Sequence, residues 1–309
     1  MAVPILIDTD MACDDAVALA LAIASPVLDV RAVVSVGGVV DAAQALENIR
    51  RLLDALDPTT MPLTGKGMDA PSPGGADRRD RFGEDGMGDW NHPARRSLES
   101  VDFREAYEHA IRSAGRSLNI LTLGPLTNLA AMIAEAPDLI RSVERIHLSG
   151  GAVWAQGNAA PHAEFNFHRN PEAAKTVLSS GLPITVAPLD VGAFVCLDQS
   201  HVAHLAASQY AAGRISATML DHLLNQEGEP ARGKTIVPAA VATGGLIWPD
   251  LFLKTRMRLE VTTTGEQAGR SKPALGGDKN QHVDLLTAVN AVDFLENLLE
   301  SLCHEAFTV

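Results

Sequence analysis

Apolar residues come in short runs separated by stretches of helical periodicity, from the start of the chain. Ile5-Leu6-Ile7 reads as a buried strand and the Ala/Leu/Val-rich segment Asp14–Ser25 as the helix behind it. Val30–Val36 predicts a second buried strand, and Asp41–Leu56 a second helix with Asp41 as N-cap and Gln44 three residues on. The alternation continues through Ile120–Leu123 (strand), a Gly124-Pro125 turn, Thr127–Glu135 (helix) and Ile146–Leu148, a strand ending in Gly150-Gly151. Asn170-Pro171-Glu172 opens a further helix, a capping residue followed by proline at the first helical position, and Gly181 closes it. Ile184–Ala187 is the next strand. This alternation predicts an α/β fold, an open and mostly parallel Rossmann-like sheet with helices on both faces. Residues 71–96 and 225–234 break the rhythm; such polar, irregular stretches are expected as surface loops, either lids over a site or simply mobile. With no internal repeat and no low-complexity linker, residues 1–309 are expected to form a single domain.

Charge narrows the range of partners. A formal net charge of −13 and a pI near 5.2 repel polyanions, which argues against nucleic acid and favours a small neutral ligand or a cation. Three cysteines, Cys13, Cys196 and Cys303, stand far apart without CxxC spacing, so neither a disulfide framework nor a zinc site is expected. The first residues lack a basic region ahead of a long apolar stretch, and no run of about 18 apolar residues occurs, so neither a signal peptide nor a membrane span is expected. The default expectation is a cytoplasmic enzyme.

The chemistry is concentrated in Ile7-Asp8-Thr9-Asp10-Met11-Ala12-Cys13-Asp14-Asp15, where a first strand gives way to a first helix. Ligand sites of open parallel sheets lie at such carboxyl ends. Asp8 and Asp10 share a face while the chain is extended, and Asp14 and Asp15 stand in the first helical turn, where the helix dipole favours negative charge. That dipole contributes only ~0.3–1 kcal/mol per group, whereas two carboxylates 4 Å apart repel by about 4 kcal/mol at an effective dielectric of 20. Either a cation sits among them, or one carries a raised pKa, or they point apart. Hard oxygen donors in a loose multidentate cluster favour Ca²⁺ over Mg²⁺; a plain helix-capping acidic loop is the alternative.

The segment resembles the nucleoside hydrolase signature D-T-D-P-G-x-D-D, with Met11-Ala12 in place of Pro-Gly. Further matches follow in the family's order: Leu123-Gly124-Pro125-Leu126-Thr127-Asn128-Leu129-Ala130; Gly150-Gly151-Ala152; Gly157-Asn158; Ala163-Glu164-Phe165-Asn166; Asn170-Pro171-Glu172-Ala173-Ala174; and Pro188-Leu189-Asp190-Val191. The resemblance spans roughly residues 3 to 300. It implies the nucleoside hydrolase fold and hydrolysis of the N-glycosidic bond of a purine or pyrimidine ribonucleoside to ribose and free base, in nucleoside salvage. By the same resemblance Ca²⁺ is held by Asp10, Asp15 and the Leu123 carbonyl, with Asp10 also the general base. Asp14, Asn158, Glu164 and Asn166 bind the ribose hydroxyls, Asp8 supports the cluster by hydrogen bonding, and the chain is a homodimer or homotetramer.

The departures matter as much. The family's His-Asp pair near the C-terminal third falls on Ile236-Val237, its Asn after the second strand on Val39, and the His of its HGxDGxG loop on Phe82. A carboxylate and a candidate proton donor are thereby missing, which keeps open a non-catalytic or metal-weak relative that binds a ribose-containing ligand. Val39, Phe82, Ile236 and Val237 together predict a drier pocket, and His162, His168 and His222 are candidate replacements by position. Trp90 and Trp154 are candidates for stacking on a base. Gly65-Lys66-Gly67-Met68-Asp69-Ala70 formally fits G-x-G-x-x-A, but Pro71-Ser72-Pro73 follows it, so it reads as a loop.

Overall fold

In a computed structural model of the chain, residues 2–71, 78–226, 233–276 and 281–304 are described. Parts of both polar loops, 72–77 and 227–232, lie outside them. The first strand sets the plan of the fold. Ile5 and Ile7 enter one hydrophobic core and Leu6 enters another, and all three are wholly buried. A strand that is apolar on both faces needs a cover on each.

The N-terminal half runs β1 (Val3–Thr9), α1 (Cys13–Ala24), β2 (Leu28–Ser35), α2 (Ala42–Leu56), β3 (Leu63–Lys66), α3 (Arg79–Phe82), β4 (Ser100–Asp102), α4 (Phe103–Ala114), β5 (Asn119–Thr122) and α5 (Thr127–Glu135). There follow α6 (Pro137–Ile140), β6 (Arg145–Ser149), α7 (Phe165–Arg169), α8 (Pro171–Leu178), β7 (Ile184–Ala187), α9 (Leu189–Gly192), β8 (Cys196–Asp198), α10 (Gln199–Ala206) and α11 (Ala211–Leu224). The chain ends with β9 (Lys234–Ile236), α12 (Pro238–Ile247), β10 (Phe252–Val261), β11 (Ser271–Ala274), β12 (His282–Val289) and α13 (Ala291–Cys303).

Among the described residues the main sheet has ten strands in the order β11-β10-β12-β7-β6-β5-β1-β2-β3-β4, and β8 pairs separately with β9. The run from β7 to β4 is parallel, as predicted; β12 joins β7 in parallel, while β10 is antiparallel to both its neighbours. Helices α1, α2, α11, α12 and α13 cover one face and α4, α5 and α8 the other. The predicted caps hold: Asp41 accepts from Gln44 N and Asn170 from Ala173 N. The Gln44 side chain, however, turns away to donate to Asn48, so the capping box is one-directional.

The site's position follows from the topology. From β1 the chain steps outward through β2, β3 and β4, then returns to place β5 on the other side of β1. The connections leaving β1 and β5 therefore diverge, and a crevice opens at their carboxyl ends.

Candidate active site

The turn after β1 is held by its own side chains. Met11 adopts φ +55°, a left-handed conformation that costs a non-glycine residue about 1–2 kcal/mol. Its N–H donates to Thr9 Oγ1 (2.9 Å) and to Asp15 Oδ2 (3.1 Å), and Thr9 Oγ1 donates to the same Asp15 oxygen at 2.5 Å. A proline at position 11, as in the family signature, has neither this φ nor an N–H to give. Asp10 Oδ2 accepts from Val39 N at 2.7 Å. Two glycines make this approach possible: a Cβ on Gly38 would overlap the Asp10 carboxylate, and one on Gly124 would lie 2.7 Å from Asp10 N.

Asp8 sits behind this row. Its carboxylate accepts from Tyr107 Oη (2.6 Å) and from Asn128 Nδ2 (3.1 and 3.2 Å). Asn128 also donates to Ser35 O and accepts from Met68 N, which ties β1, β2, α5 and the segment after β3 together. Burial pushes the Asp8 carboxyl up to about 7 against the opposing pull of Tyr107 and Asn128. Tyr107→Phe leaves a buried carboxyl short of a donor and should lower unfolding stability by about 1–3 kcal/mol. Urea denaturation checks this; an unchanged midpoint would mean that Asn128 alone satisfies Asp8.

One cleft gathers the remaining predicted residues. Asp10, Asp14, Asp15, Leu123, Asn158, Glu164 and Asn166 all line it, with Ser149 at its floor. Asn166 Nδ2 donates to Leu123 O (2.5 Å) and Ser149 O (3.1 Å), which fixes the orientation of its amide. Its Oδ1 is buried with no hydrogen-bond partner, an acceptor awaiting a donor or a cation. Glu164 caps α7, accepting from Asn166 N and Phe167 N, and also takes Gly151 N at 3.0 Å. A carboxylate oxygen has two lone pairs, so these bonds leave room for a sugar hydroxyl. Asn158 Oδ1 accepts from Phe165 N and its carbonyl accepts from Arg78 Nη1.

Burial dominates the electrostatics. It raises Asp10 to about 6 despite the Val39 N–H, and Glu164 to about 7 despite three backbone donors. Asp15 is driven well above the carboxylate range by burial and then by the charges of Asp10 and Asp14. Asp14 is raised by burial, opposed by Arg81, by backbone N–H groups including that of Ala239, and by Arg78. Asp10 and Asp15 stand close enough that the charge of each bears on the other, and Asp10 is the first charge that raises Asp15. Such a pair suits either a shared proton or a hard cation, and the neighbouring Leu123 carbonyl and unpartnered Asn166 Oδ1 add neutral oxygen donors. The donor set therefore fits a Ca²⁺-like ion with a partial protein shell, although among the described residues no three His, Cys, Asp or Glu side chains form a ligating group.

The apolar substitutions are not all in one place. Val39 and Phe82 line the cleft, and Val237 is wholly buried in the same core beside the cleft residue Pro238. Ile236 instead pairs with Cys196 in the small sheet, so of the predicted dry cluster of four only Val39 and Phe82 line the cleft itself. The loss of polarity at Val39 is also only apparent, since its backbone N–H serves Asp10. The histidines are placed elsewhere: His168 Nδ1 contacts Ala268 O, His222 Nε2 contacts Arg81 O, and His162 is exposed. Trp90 stacks on His92 and packs against the core as a loop anchor, whereas Trp154 is 62% exposed. Sequence reading missed Tyr107, Gly38 and Arg78. The Gly37-Gly38 pair after an apolar strand was the one available hint.

Comparisons with known proteins agree with this geometry. The model of the inosine-uridine preferring nucleoside hydrolase family matches residues 5–296. The pyrimidine-specific ribonucleoside hydrolases RihA of Citrobacter koseri and Escherichia coli K12 are each 31% identical over 272 residues, 86% of this chain and 86% of theirs. Among solved structures, the inosine-guanosine nucleoside hydrolase superposes with TM-score 0.83 at 25% identity, covering 98% of each chain. The purine-preferring ribonucleoside hydrolase of Gardnerella vaginalis gives TM-score 0.89 at 23% identity, covering 97% of this chain and 98% of its own, a likeness of fold.

Proposed function

The chain belongs to the inosine-uridine preferring nucleoside hydrolase family and hydrolyses ribonucleosides to ribose and free base; from that premise we propose that Asp10 is the general base, that a pyrimidine ribonucleoside such as uridine is a substrate, and that Ca²⁺ is the cofactor. The observation that carries the reading is the convergence of Asp10, Asp14, Asp15, Glu164 and Asn166 on one cleft at the β1/β5 crevice.

Asp10, raised toward neutrality by burial, takes a proton from the attacking water near physiological pH. Asp14, Asn158, Glu164 and the free Oδ1 of Asn166 offer the acceptors and donors that fix the ribose hydroxyls. The transition state at C1′ is oxocarbenium-like, and the carboxylates of this floor stabilise its positive charge. Asp8, held by Tyr107 and Asn128, keeps the end of β1 in place. Ca²⁺, when bound by Asp10, Asp15 and the Leu123 carbonyl, would offset the carboxylates' charge and supply Lewis acidity to the water and the sugar diol. The acidic surface and three free cysteines support a cytoplasmic enzyme of nucleoside salvage with no nucleic-acid partner, and no helix among the described residues is long and apolar enough to cross a membrane. Assembly as a homodimer or homotetramer belongs to the same proposal.

Release of free ribose from uridine, cytidine, inosine and adenosine, read with and without Ca²⁺, tests the activity. Thermal unfolding at pH 5 and pH 8 tests the metal separately. Carboxyls whose folded pKa is raised bind more protons in the native state than in the unfolded state. The stability they contribute is present below about pH 4 and is lost as pH rises through about 6–7. The metal-free protein should therefore melt lower at pH 8 than at pH 5. Ca²⁺ needs ionised carboxylates, so its stabilising effect should be larger at pH 8, about 2.7 kcal/mol at 100 times its dissociation constant. No Ca²⁺ response at pH 8 together with no turnover would leave the second reading, a ribose-binding relative whose metal shell was lost with the carboxylate now replaced by Val237.

A further inference from the structure

The segment between β6 and α7 leads from the cleft floor at Ser149 to the sugar-binding candidates Asn158 and Glu164. Five consecutive backbone N–H groups at its start, from Gly151 to Ala155, all donate to side chains. Gly151 N reaches Glu164 Oε2 (3.0 Å), and Ala152 N reaches Ser271 Oγ (3.0 Å), whose hydroxyl donates back to Ala152 O (3.1 Å). The other three converge on one residue of α9. Val153 N donates to Asp190 Oδ2 (2.8 Å), and Trp154 N and Ala155 N donate to Asp190 Oδ1 (2.6 and 2.9 Å). The residue before Asp190 returns a bond of its own, from Leu189 N to Gly151 O (2.9 Å).

Apolar packing contributes little to this loop. Every residue from Val153 to His162 is half-buried or exposed, and the Trp154 ring is 62% exposed. A segment with so little buried surface takes its position from its hydrogen bonds. Residues 157–163 close on themselves, with Ala159 N and Ala160 N donating to Ala163 O and Ala163 N to Ala160 O. Asn158 is thus held on two sides. Its Oδ1 accepts from Phe165 N, and its backbone follows three residues after Ala155, the last N–H that Asp190 holds.

We propose that Asp190, which does not itself line the cleft, is a positioning residue for ribose recognition. By holding Val153–Ala155 it sets where Asn158 and, through Gly151, Glu164 meet the sugar hydroxyls. The inference rests on the hydrolase reading above and extends its sugar site to a residue outside the cleft. A carboxylate suits the task, because both its oxygens accept and neither turns a donor against the backbone. Bonds from backbone N–H groups to a carboxylate are also shorter and stronger than those to a neutral acceptor. The precision matters for rate: a misplacement of about 1 Å, caused by a change away from the chemistry, costs on the order of 10²-fold.

The test compares sugar hydroxyls. The fastest substrate among uridine, cytidine, inosine and adenosine is assayed beside its 2′-deoxy, 3′-deoxy and 5′-deoxy analogues. Wild type, Asp190→Ala and Asp190→Asn are compared, with thermal unfolding of each. In wild type, loss of a hydroxyl that Asn158 or Glu164 holds slows hydrolysis, which gives each analogue a discrimination factor. In Asp190→Ala, kcat/KM for the ribonucleoside should fall by about 10²-fold. The discrimination factor for at least one hydroxyl should shrink by about tenfold, because the analogue has little of that contact left to lose. Asp190→Asn should fall between the two, since its Oδ1 still accepts from Trp154 N and Ala155 N while its amide turns a donor toward Val153 N. Equal losses on all four substrates would overturn the inference, because Asp190 would then only stabilise the fold. So would unchanged kinetics in Asp190→Ala, or a wild type that treats the ribonucleoside and its analogues alike. If Asp190→Ala does not fold, the discrimination factors of Asp190→Asn decide the matter in the same way. A wild type inert toward all four ribonucleosides would instead sink the hydrolase reading, and this inference with it.

Discussion

Asp10→Asn should lower kcat for uridine hydrolysis by at least about 10³-fold while leaving the fold intact. General-base catalysis alone accounts for about 10²–10⁴-fold, and the same substitution removes an anionic oxygen from the proposed cation site. Asn is the informative replacement because its Oδ1 still accepts from Val39 N, a backbone donor that holds position 10. Asp10→Ala would leave that buried N–H unsatisfied and mix a folding defect into the kinetics. Asn also preserves the volume beneath Gly38 and Gly124, which fit closely around this side chain. The pH profile separates base from ligand. The wild-type rate should rise as pH passes through about 6, where Asp10 ionises, and the residual rate of the variant should lose that limb. A variant that retains most of its turnover, with ribose release unchanged between pH 5 and 8, would place the base elsewhere.

The sequence made the parallel half of the fold readable because each element there is a short apolar run with its own punctuation. Ile184–Ala187 and Thr127–Glu135 end where predicted, the first by a burial pattern without exposed positions, the second by the Gly-Pro turn before it. The antiparallel edge β10–β12 escaped notice. Much of β10 is exposed or half-buried, so it lacks the continuous apolar signal of the inner strands. The acidic turn was legible for a different reason: four carboxylates so close together must find partners, a cation or protons, and the structure buries Asp8, Asp10 and Asp15 and half-buries Asp14, with desolvation pushing all four carboxyls up. What supports them was not legible. Tyr107 reaches Asp8 across 99 residues of sequence, and Val39 helps Asp10 through an atom that every residue but proline carries. Reading side chains position by position marks Val39 as a loss, whereas the backbone retains a donor there. Arg78 was hidden for the opposite reason. A basic residue in a polar loop is ordinarily a solvated one, and only the return of α3 over the cleft brings it against Phe165.

Val237→Asp should raise Ca²⁺ affinity by about 10–100-fold or more, the range by which even supporting partners of metal ligands act. Val237 is wholly buried and immediately precedes α12, whose first residue, Pro238, lines the cleft and whose Ala239 N–H serves Asp14. A carboxylate there stands at a helix N-terminus, which favours negative charge by about 0.3–1 kcal/mol, next in sequence to the cleft residue Pro238. Without metal that gain is far too small. A buried carboxylate lacking a full set of donors costs several kcal/mol when ionised, so the metal-free variant should be markedly less stable than wild type at pH 8. At pH 5, where the new carboxyl can stay protonated, the deficit should shrink. Titration calorimetry with Ca²⁺ and thermal unfolding at both pH values read the two effects independently. Tighter Ca²⁺ binding with a larger pH-dependent deficit would show that Val237 occupies a vacant ligand position and that the wild-type shell is completed by water. A pH-dependent deficit with unchanged affinity would show that position 237 faces the apolar core rather than the ion. The wild-type shell would then have been rebuilt around Asp10, Asp15, Leu123 and Asn166, not merely depleted.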